Sequence, residues 1–247
     1  MIQHQRGATL IVVLIMLVLL TIIGTWAIRQ SMVSLNITTN SQAQQLLMQS
    51  SDTVFYRLGH GGYAASSGNP LSLIGYSIQN EGDEVVFCFR NQSNSAMFNV
   101  SNSSVLRWNE AMSDVSVDGV SGFCSLSNDG DYASARKAQL TQVSVIVSPP
   151  SDSDHDIPLS NANVGTDTES IGQPSDTKKI TVYSTSLLPA LSSTDLTDEI
   201  HLCLRRPHTA PLVGNVQTIS SCLKDIGVPY NTQIQSYIFD AYQRAES

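Results

Sequence analysis

Four cysteines, Cys88, Cys124, Cys203 and Cys222, are the residues of this 247-residue chain best suited to covalent chemistry. They are even in number, widely spaced, and include no C-x-x-C pair. Structural zinc takes its ligands in close pairs, so this spacing points away from a metal and toward disulfides. Four cysteines allow three connectivities, of which the sequential one, Cys88 with Cys124 and Cys203 with Cys222, closes the shortest loops. In the chain-entropy account, closing the loop from Cys203 to Cys222 contributes about 3 kcal/mol in an oxidising compartment. Four buried free thiols is the competing reading.

The remaining candidates for chemistry are weaker. Asp152, Asp154 and Asp156 alternate as at the start of an EF-hand loop. Ile157 stands where that loop needs glycine, however, and Asn163 where it needs the bidentate glutamate. Asn128-Asp129-Gly130-Asp131 reads as a turn. Ser134-Ala135-Arg136-Lys137 and Ser221-Cys222-Leu223-Lys224 match S-x-x-K, but no Ser-Asp-Asn or Lys-Thr-Gly element accompanies them. His201 and His208 flank Arg205-Arg206-Pro207, a pattern read as a solvated turn. G-x-S-x-G, H-E-x-x-H and P-loop patterns do not occur. Neither enzyme chemistry, nor a metal, nor a cofactor is expected.

The elements that would position these residues begin with an apolar segment. Ala8 to Ile28 is 21 residues without a charge, preceded by Arg6 and Gly7. As a helix it spans roughly 30 Å, the hydrocarbon thickness of a bilayer. A cleavable secretory signal has a shorter apolar core and a small-x-small site; here the run ends at Trp26-Ala27-Ile28-Arg29, an interfacial aromatic and a charge. Arg6 and Arg29 balance, so positive-inside counting leaves the orientation open. Beyond the run, Ile28, Met32, Leu35, Ala43, Leu46, Leu47, Val54 and Leu58 recur mostly at three, four or seven apart, with neither proline nor glycine from Ser31 to Leu58. That is helical spacing, predicting one helix from about Thr9 to Leu58 that ends at Gly59-His60-Gly61-Gly62. Gly24 lowers helix propensity by about 1 kcal/mol and marks a place for local unwinding. From Gln30 to Ser51 the helix carries no charge, which suits packing in an assembly or against its own head better than solitary exposure.

These residues resemble a known family. Gln5-Arg6-Gly7-Ala8-Thr9-Leu10-Ile11-Val12 is similar to the class III signal of type IV pilins and type II secretion pseudopilins, a short basic leader ending in glycine and joined to a long apolar helix. The resemblance covers about the first 58 residues. It implies a cleaved leader over residues 1–7, cut by the prepilin peptidase between Gly7 and Ala8, and methylation of the new amino terminus at Ala8. Ala8 stands where phenylalanine is usual. It also implies an orientation, with the leader cytoplasmic and the head outside the inner membrane.

Pilins generally carry glutamate at the fifth mature position, which here is Val12. A carboxylate in the bilayer is expensive unless neutralised, and in the family it meets the amino terminus of the adjacent subunit. A subunit with none ahead of it lacks that amine, so an apolar residue there fits a position at the filament tip. PilX-class minor pilins and K-type minor pseudopilins share this habit, and RGATLIVVLIMLVLLTIIGTWAIRQSM looks most like the PilX class. The resemblance then implies a minor pilin that helps initiate type IV pilus assembly and sits at or near the pilus tip. Its partners would be other minor pilins and the major pilin through the N-terminal helix, the prepilin peptidase, and a large tip adhesin it helps present. Adhesion, twitching motility or DNA uptake would follow. The K-type pseudopilin, or a membrane-anchored periplasmic binding protein, are the alternatives.

The head, residues 59–247, reads as strand-rich. Glu84 to Arg90, Gln139 to Ser148, Lys179 to Ser186 and Glu199 to Leu204 are short β-branched or aromatic runs, predicting an antiparallel sheet of about four or more strands. Thr232 to Arg244 is predicted as a final helix capped by Thr232, with Ile234, Tyr237, Ile238, Ala241 and Tyr242 on one face. The polar, acidic, proline-punctuated stretch at about 148–178 is predicted as a long mobile loop. A sheet packed on the outer half of the helix would give the α+β, pilin-like fold of the resemblance, with a disulfide-bonded head. The net charge of −8 leaves no broad basic footprint, which argues against direct DNA binding.

Overall fold

The computed structural model describes residues 8–60, 71–90, 98–133, 136–148, 174–192, 196–211 and 214–242, with backbone alone at 8, 9, 60, 174–177 and 238–242. The chain divides into two compact units, Met1–Gln45 and Leu46–Ser247.

Helix α1, Ala8–His60, is continuous over 53 residues. No unwinding occurs at Gly24; on either side of it the Thr21 and Thr25 hydroxyls donate to the carbonyls of Val18 and Ile22, at 2.8 and 2.9 Å. The first unit holds α1 through Gln45. Its large apolar side chains from Leu10 to Ile37 are exposed, including Ile28, Met32 and Leu35 of the predicted stripe.

The second unit is built on a six-stranded antiparallel sheet. Its strands are β1 (Glu84–Cys88), β2 (Ser103–Trp108), β3 (Val115–Asp118), β4 (Leu140–Ser148), β5 (Pro174–Leu187) and β6 (Tyr230–Tyr242). Their spatial order is β3-β2-β1-β4-β5-β6. Strand periodicity sends alternate residues to opposite faces. On one face Val85 and Phe87 of β1, Val143, Val145 and Val147 of β4, and Ile180 and Val182 of β5 pack with Val54 and Leu58 of α1 and Leu73 of the short helix α2, Leu73–Gln79. Burial of each of these aliphatic side chains contributes roughly 1.5–3 kcal/mol. Nearer Leu46 the contact is polar. A row of hydroxyls runs from Ser50 to Thr141 at 2.6 Å, on to Ser186 at 2.9 Å, and back to Ser51 at 3.0 Å.

On the opposite face, Cys88, Leu140 and Leu187 pack under two helices, α3 (Thr197–Leu204) and α4 (Ile219–Asp225). Gly122 lies against the backbone of β1 and β2 so closely that a Cβ there would stand 2.2 Å from both the Ser104 amide nitrogen and the Val86 carbonyl oxygen. Only glycine fits that approach.

The predicted strands Glu84 to Arg90, Gln139 to Ser148 and Lys179 to Ser186 correspond to β1, β4 and β5. Two of the predicted elements take the opposite secondary structure. Glu199 to Leu204 is the helix α3, because the residues it buries are Ile200, Cys203 and Leu204, at helical spacing. Of the predicted helix Thr232 to Arg244, the described residues 232–242 are strand: β6 runs from Tyr230 to Tyr242 and pairs in regular register with β5 from Tyr230 to Asp240, Thr232 opposite Thr185 and Tyr237 opposite Ile180, while Gln243 and Arg244 lie outside the described residues. Pairing with the 14-residue β5 satisfies every second backbone group of the segment, which the weak helical repeat could not outweigh. Strands β2 and β3 lie in a serine- and asparagine-rich stretch where no strand is predicted. β5 begins at Pro174, so residues 174–178 of the predicted loop are strand. Asp152, Asp154, Asp156, Ile157 and Asn163 lie outside the described residues, as do Gly61 and Gly62.

Candidate functional site

The chemistry-bearing residues fall into three places: the apolar half of α1, the disulfide-braced region under α3 and α4, and a buried polar cluster on the same sheet face.

Among the described residues α1 is the one helix long and apolar enough to cross a membrane, with a mean hydropathy of 2.8 over its most apolar window. A membrane anchor or a signal sequence meets that description. Val12 is 61% exposed, in a run of exposed apolar residues that includes Trp26. Gly7 lies outside the described residues and Ala8 opens the helix.

The four cysteines form two disulfides in sequential order, Cys88–Cys124 and Cys203–Cys222, with sequence separations of 36 and 19. The first ties the end of β1 to the loop after Gly122; the second joins α3 to α4. Gln142, fully buried on β4, connects the two regions: its amide donates to the Leu204 carbonyl at 2.7 Å, and its oxygen accepts from the Cys124 N–H at 3.2 Å. Asn128-Asp129-Gly130-Asp131 is a 3-10 turn, as its composition predicts. Asp131 is buried and accepts from Arg90 Nε at 2.6 Å, the Ser125 N–H at 2.8 Å and the Asn128 amide at 2.8 Å. His201 Nε2 accepts from the Leu126 N–H at 2.9 Å. Burial pushes the Tyr132 phenol above its ordinary pKa, and its hydroxyl donates to the Leu126 carbonyl at 3.0 Å.

The buried cluster corrects the reading of His208 as part of a solvated turn. Its side chain and that of Glu84 are each 1% exposed. Glu84, the first residue of β1, accepts from three groups: His208 Nδ1 at 2.7 Å, the His208 main-chain N–H at 3.1 Å, and the Ser144 hydroxyl at 2.8 Å. The other ring nitrogen, Nε2, lies 3.0 Å from the Thr185 hydroxyl, which in turn lies 2.8 Å from that of Thr232. Tyr183 stacks at a tilt on the imidazole, with centroids 5.2 Å apart. Burial, and next the nearby Glu84 charge, push the Tyr183 phenol up. A buried carboxylate is tolerated only when hydrogen-bonded in this way.

Thr185, His208 and Glu84 thus stand in the order hydroxyl, imidazole, carboxylate, the sequence of an acyl-transfer triad. Thr185 is fully buried, and its hydroxyl is shared with Thr232. Two clefts formed by described residues are lined by other side chains: one of about 260 Å³ by Leu46, Ser50, Arg57 and Phe89 among others, another of about 330 Å³ by Tyr132, Lys137 and Ile200 among others. The row joins His208, in the segment after α3, to β1 and β5 of the sheet. Beside it Trp108 Nε1 donates to the Thr209 hydroxyl at 3.0 Å. Among the described residues no three His, Cys, Asp or Glu side chains group as a metal site.

Comparison with family models, with curated proteins and with solved structures finds no match to this chain.

Sequence reasoning missed Glu84, Ser144, Thr185 and Gln142. The one available signal was Glu84 itself, a carboxylate opening a strand whose next four residues are apolar and, with it, all buried.

Proposed function

We propose that this chain is a minor pilin of the PilX class, a subunit that initiates assembly of a type IV pilus and sits at its tip. The observation that carries the reading is α1: an uncharged apolar run opening at Ala8, preceded by Arg6-Gly7, that continues as one helix to His60. The exposed apolar side chains from Leu10 to Ile28 provide the anchor in the inner membrane before assembly and the packing surface for neighbouring subunit helices afterwards. Val12 removes the carboxylate that would otherwise need an amine from a subunit ahead, and with it the cost of an unneutralised charge inside the bilayer.

The antiparallel sheet, with the last turns of α1 packed on it and two disulfides bracing its other side, supports a pilin-like head of the kind that would contact other minor pilins and help present a tip adhesin. Two disulfides suit the oxidising periplasm. Deletion of the gene tests the role. Surface pili should fall sharply in number, and with them adhesion, twitching motility or DNA uptake. Pili of normal number and length without the protein, with retraction intact, would remove the initiation role.

A further inference from the structure

The row from Glu84 to Thr185 has a closed end and an open one. At the closed end the Glu84 and His208 side chains are 1% exposed, and the Ser144 hydroxyl that donates to Glu84 belongs to a fully buried residue. At the other end the imidazole Nε2 lies 3.0 Å from the hydroxyl of Thr185, also fully buried. That hydroxyl lies 2.8 Å from the hydroxyl of Thr232, which in turn lies 3.3 Å from that of Ser220 on α4. Thr232 and Ser220 are half-buried, so one fully buried hydroxyl separates the imidazole from side chains that reach the surface. Each link past the ring donates one hydrogen, accepts through two lone pairs and turns to suit its neighbours. Such a row is satisfied in two directions. Glu84 as a carboxylate only accepts, so Nδ1 carries its hydrogen in both charge states of the ring. When the imidazole is neutral, Nε2 accepts from Thr185, and Thr185 accepts from Thr232. When it is charged, Nε2–H donates to Thr185, Thr185 donates to Thr232, and Thr232 donates outward. Passing between the two turns hydroxyls and moves no heavy atom.

We infer that Thr232 and Thr185 relay protons between solvent and His208, which makes the buried Glu84–His208 pair a proton-binding site that fills and empties while residues 205–211 stay on the sheet. Hydronium gives a proton to the Thr232 oxygen, Thr232 gives its own to Thr185, and Thr185 gives its own to Nε2. Each threonine oxygen makes one O–H bond and breaks one, and the imidazole gains an N–H bond for the O–H bond that hydronium loses. Of the titratable groups, Glu84 of β1 and Tyr183 of β5 touch the ring. β6 and α4 contribute the hydroxyls of Thr232 and Ser220 to the row, and Arg205 and Arg206, on the segment that carries His208, are exposed. This inference does not rest on the pilus reading; an unprocessed amino terminus would leave it untouched.

Nuclear magnetic resonance of the full-length chain in detergent micelles, with nitrogen-15 in its histidines, tests it. The chain has five histidines, and the signal lost in His208→Gln identifies the ring. Interconversion of its neutral and charged forms is read from the relaxation of Nε2 at a pH where both are populated. Opening of the segment is read from hydrogen exchange of the His208 main-chain N–H, which donates to the same carboxylate. Opening exposes surface and is promoted by urea, whereas a relay through the closed structure is not. In the native chain the ring rate should therefore stay flat across sub-denaturing urea while amide exchange climbs. Thr185→Val and Thr232→Val should each slow the ring by about tenfold or more, since protons then wait on opening. Thr232→Ser keeps the hydroxyl and should retain the native rate. A ring rate that rises with urea in step with the amide, an unchanged rate in either folded valine variant, or a slowed rate in Thr232→Ser would each overturn the inference. An imidazole with a single charge state over the whole pH range of the folded chain would overturn it as well.

Discussion

Replacing Glu84 by leucine should destabilise the head by about 4 kcal/mol. The carboxylate accepts from the Ser144 hydroxyl, the His208 N–H and His208 Nδ1 in a site where both side chains are 1% exposed. Leucine fills similar volume, so the loss is polar rather than a cavity. The Ser144 hydroxyl can turn to another acceptor, but the two N–H groups of His208 are fixed by the backbone and the ring. Each buried donor left unpaired costs about 1–3 kcal/mol, so the range is about 2–6 kcal/mol. A domain holds only about 5–15 kcal/mol in all. His208→Leu strips the carboxylate of its Nδ1 donor and should cost about 1–3 kcal/mol. The double variant should cost less than the two singles summed, with a coupling above about 1 kcal/mol.

The assay is urea unfolding of the full chain in mild detergent, followed by tryptophan fluorescence. The chain has two tryptophans; in a Trp26→Phe background Trp108 reports alone, and it donates to Thr209 beside His208. A Glu84→Leu loss below about 1 kcal/mol, or additive single variants, would refute the argument that this pair holds residues 205–211 on the sheet.

Other changes should act through different contacts. Gly122→Ala forces a Cβ to 2.2 Å from two backbone atoms; neither can move alone, and a loss of about 3 kcal/mol or more is expected in the same titration. Removing Cys203–Cys222 by paired alanines should cost about 3 kcal/mol, and removing Cys88–Cys124, with its wider separation of 36, slightly more. Thermal melts with and without reductant check both. Val12→Glu should impair pilus initiation and binding to partner minor pilins; unchanged assembly and pull-down would show that the absent carboxylate does not mark the tip.

How much of this was legible in the sequence depended on how local the determining physics was. The long helix was, because 21 uncharged residues and a continuing three-four repeat admit little else. β1, β4 and β5 were, because β-branched residues concentrate there. β6 was not: Ile234, Tyr237, Ile238, Ala241 and Tyr242 fall at helical spacing, and the deciding influence was a partner strand more than 40 residues away in β5. α3 failed in the opposite sense, since Ile200, Leu202 and Leu204 alternate, yet Leu202 is exposed and Cys203 is buried. The Glu84 and His208 cluster joins residues 124 apart, and nothing in either local context announced the other. Arg205 and Arg206 beside His208 suggest a solvated turn, whereas Glu84 draws the His208 imidazole inward.

If α1 is made behind a leader and enters a filament as a processed subunit, mass spectrometry of the mature amino terminus should find a chain that starts at N-methylated Ala8, with residues 1–7 absent. An intact Met1, or a start site beyond the apolar run, would rule that out.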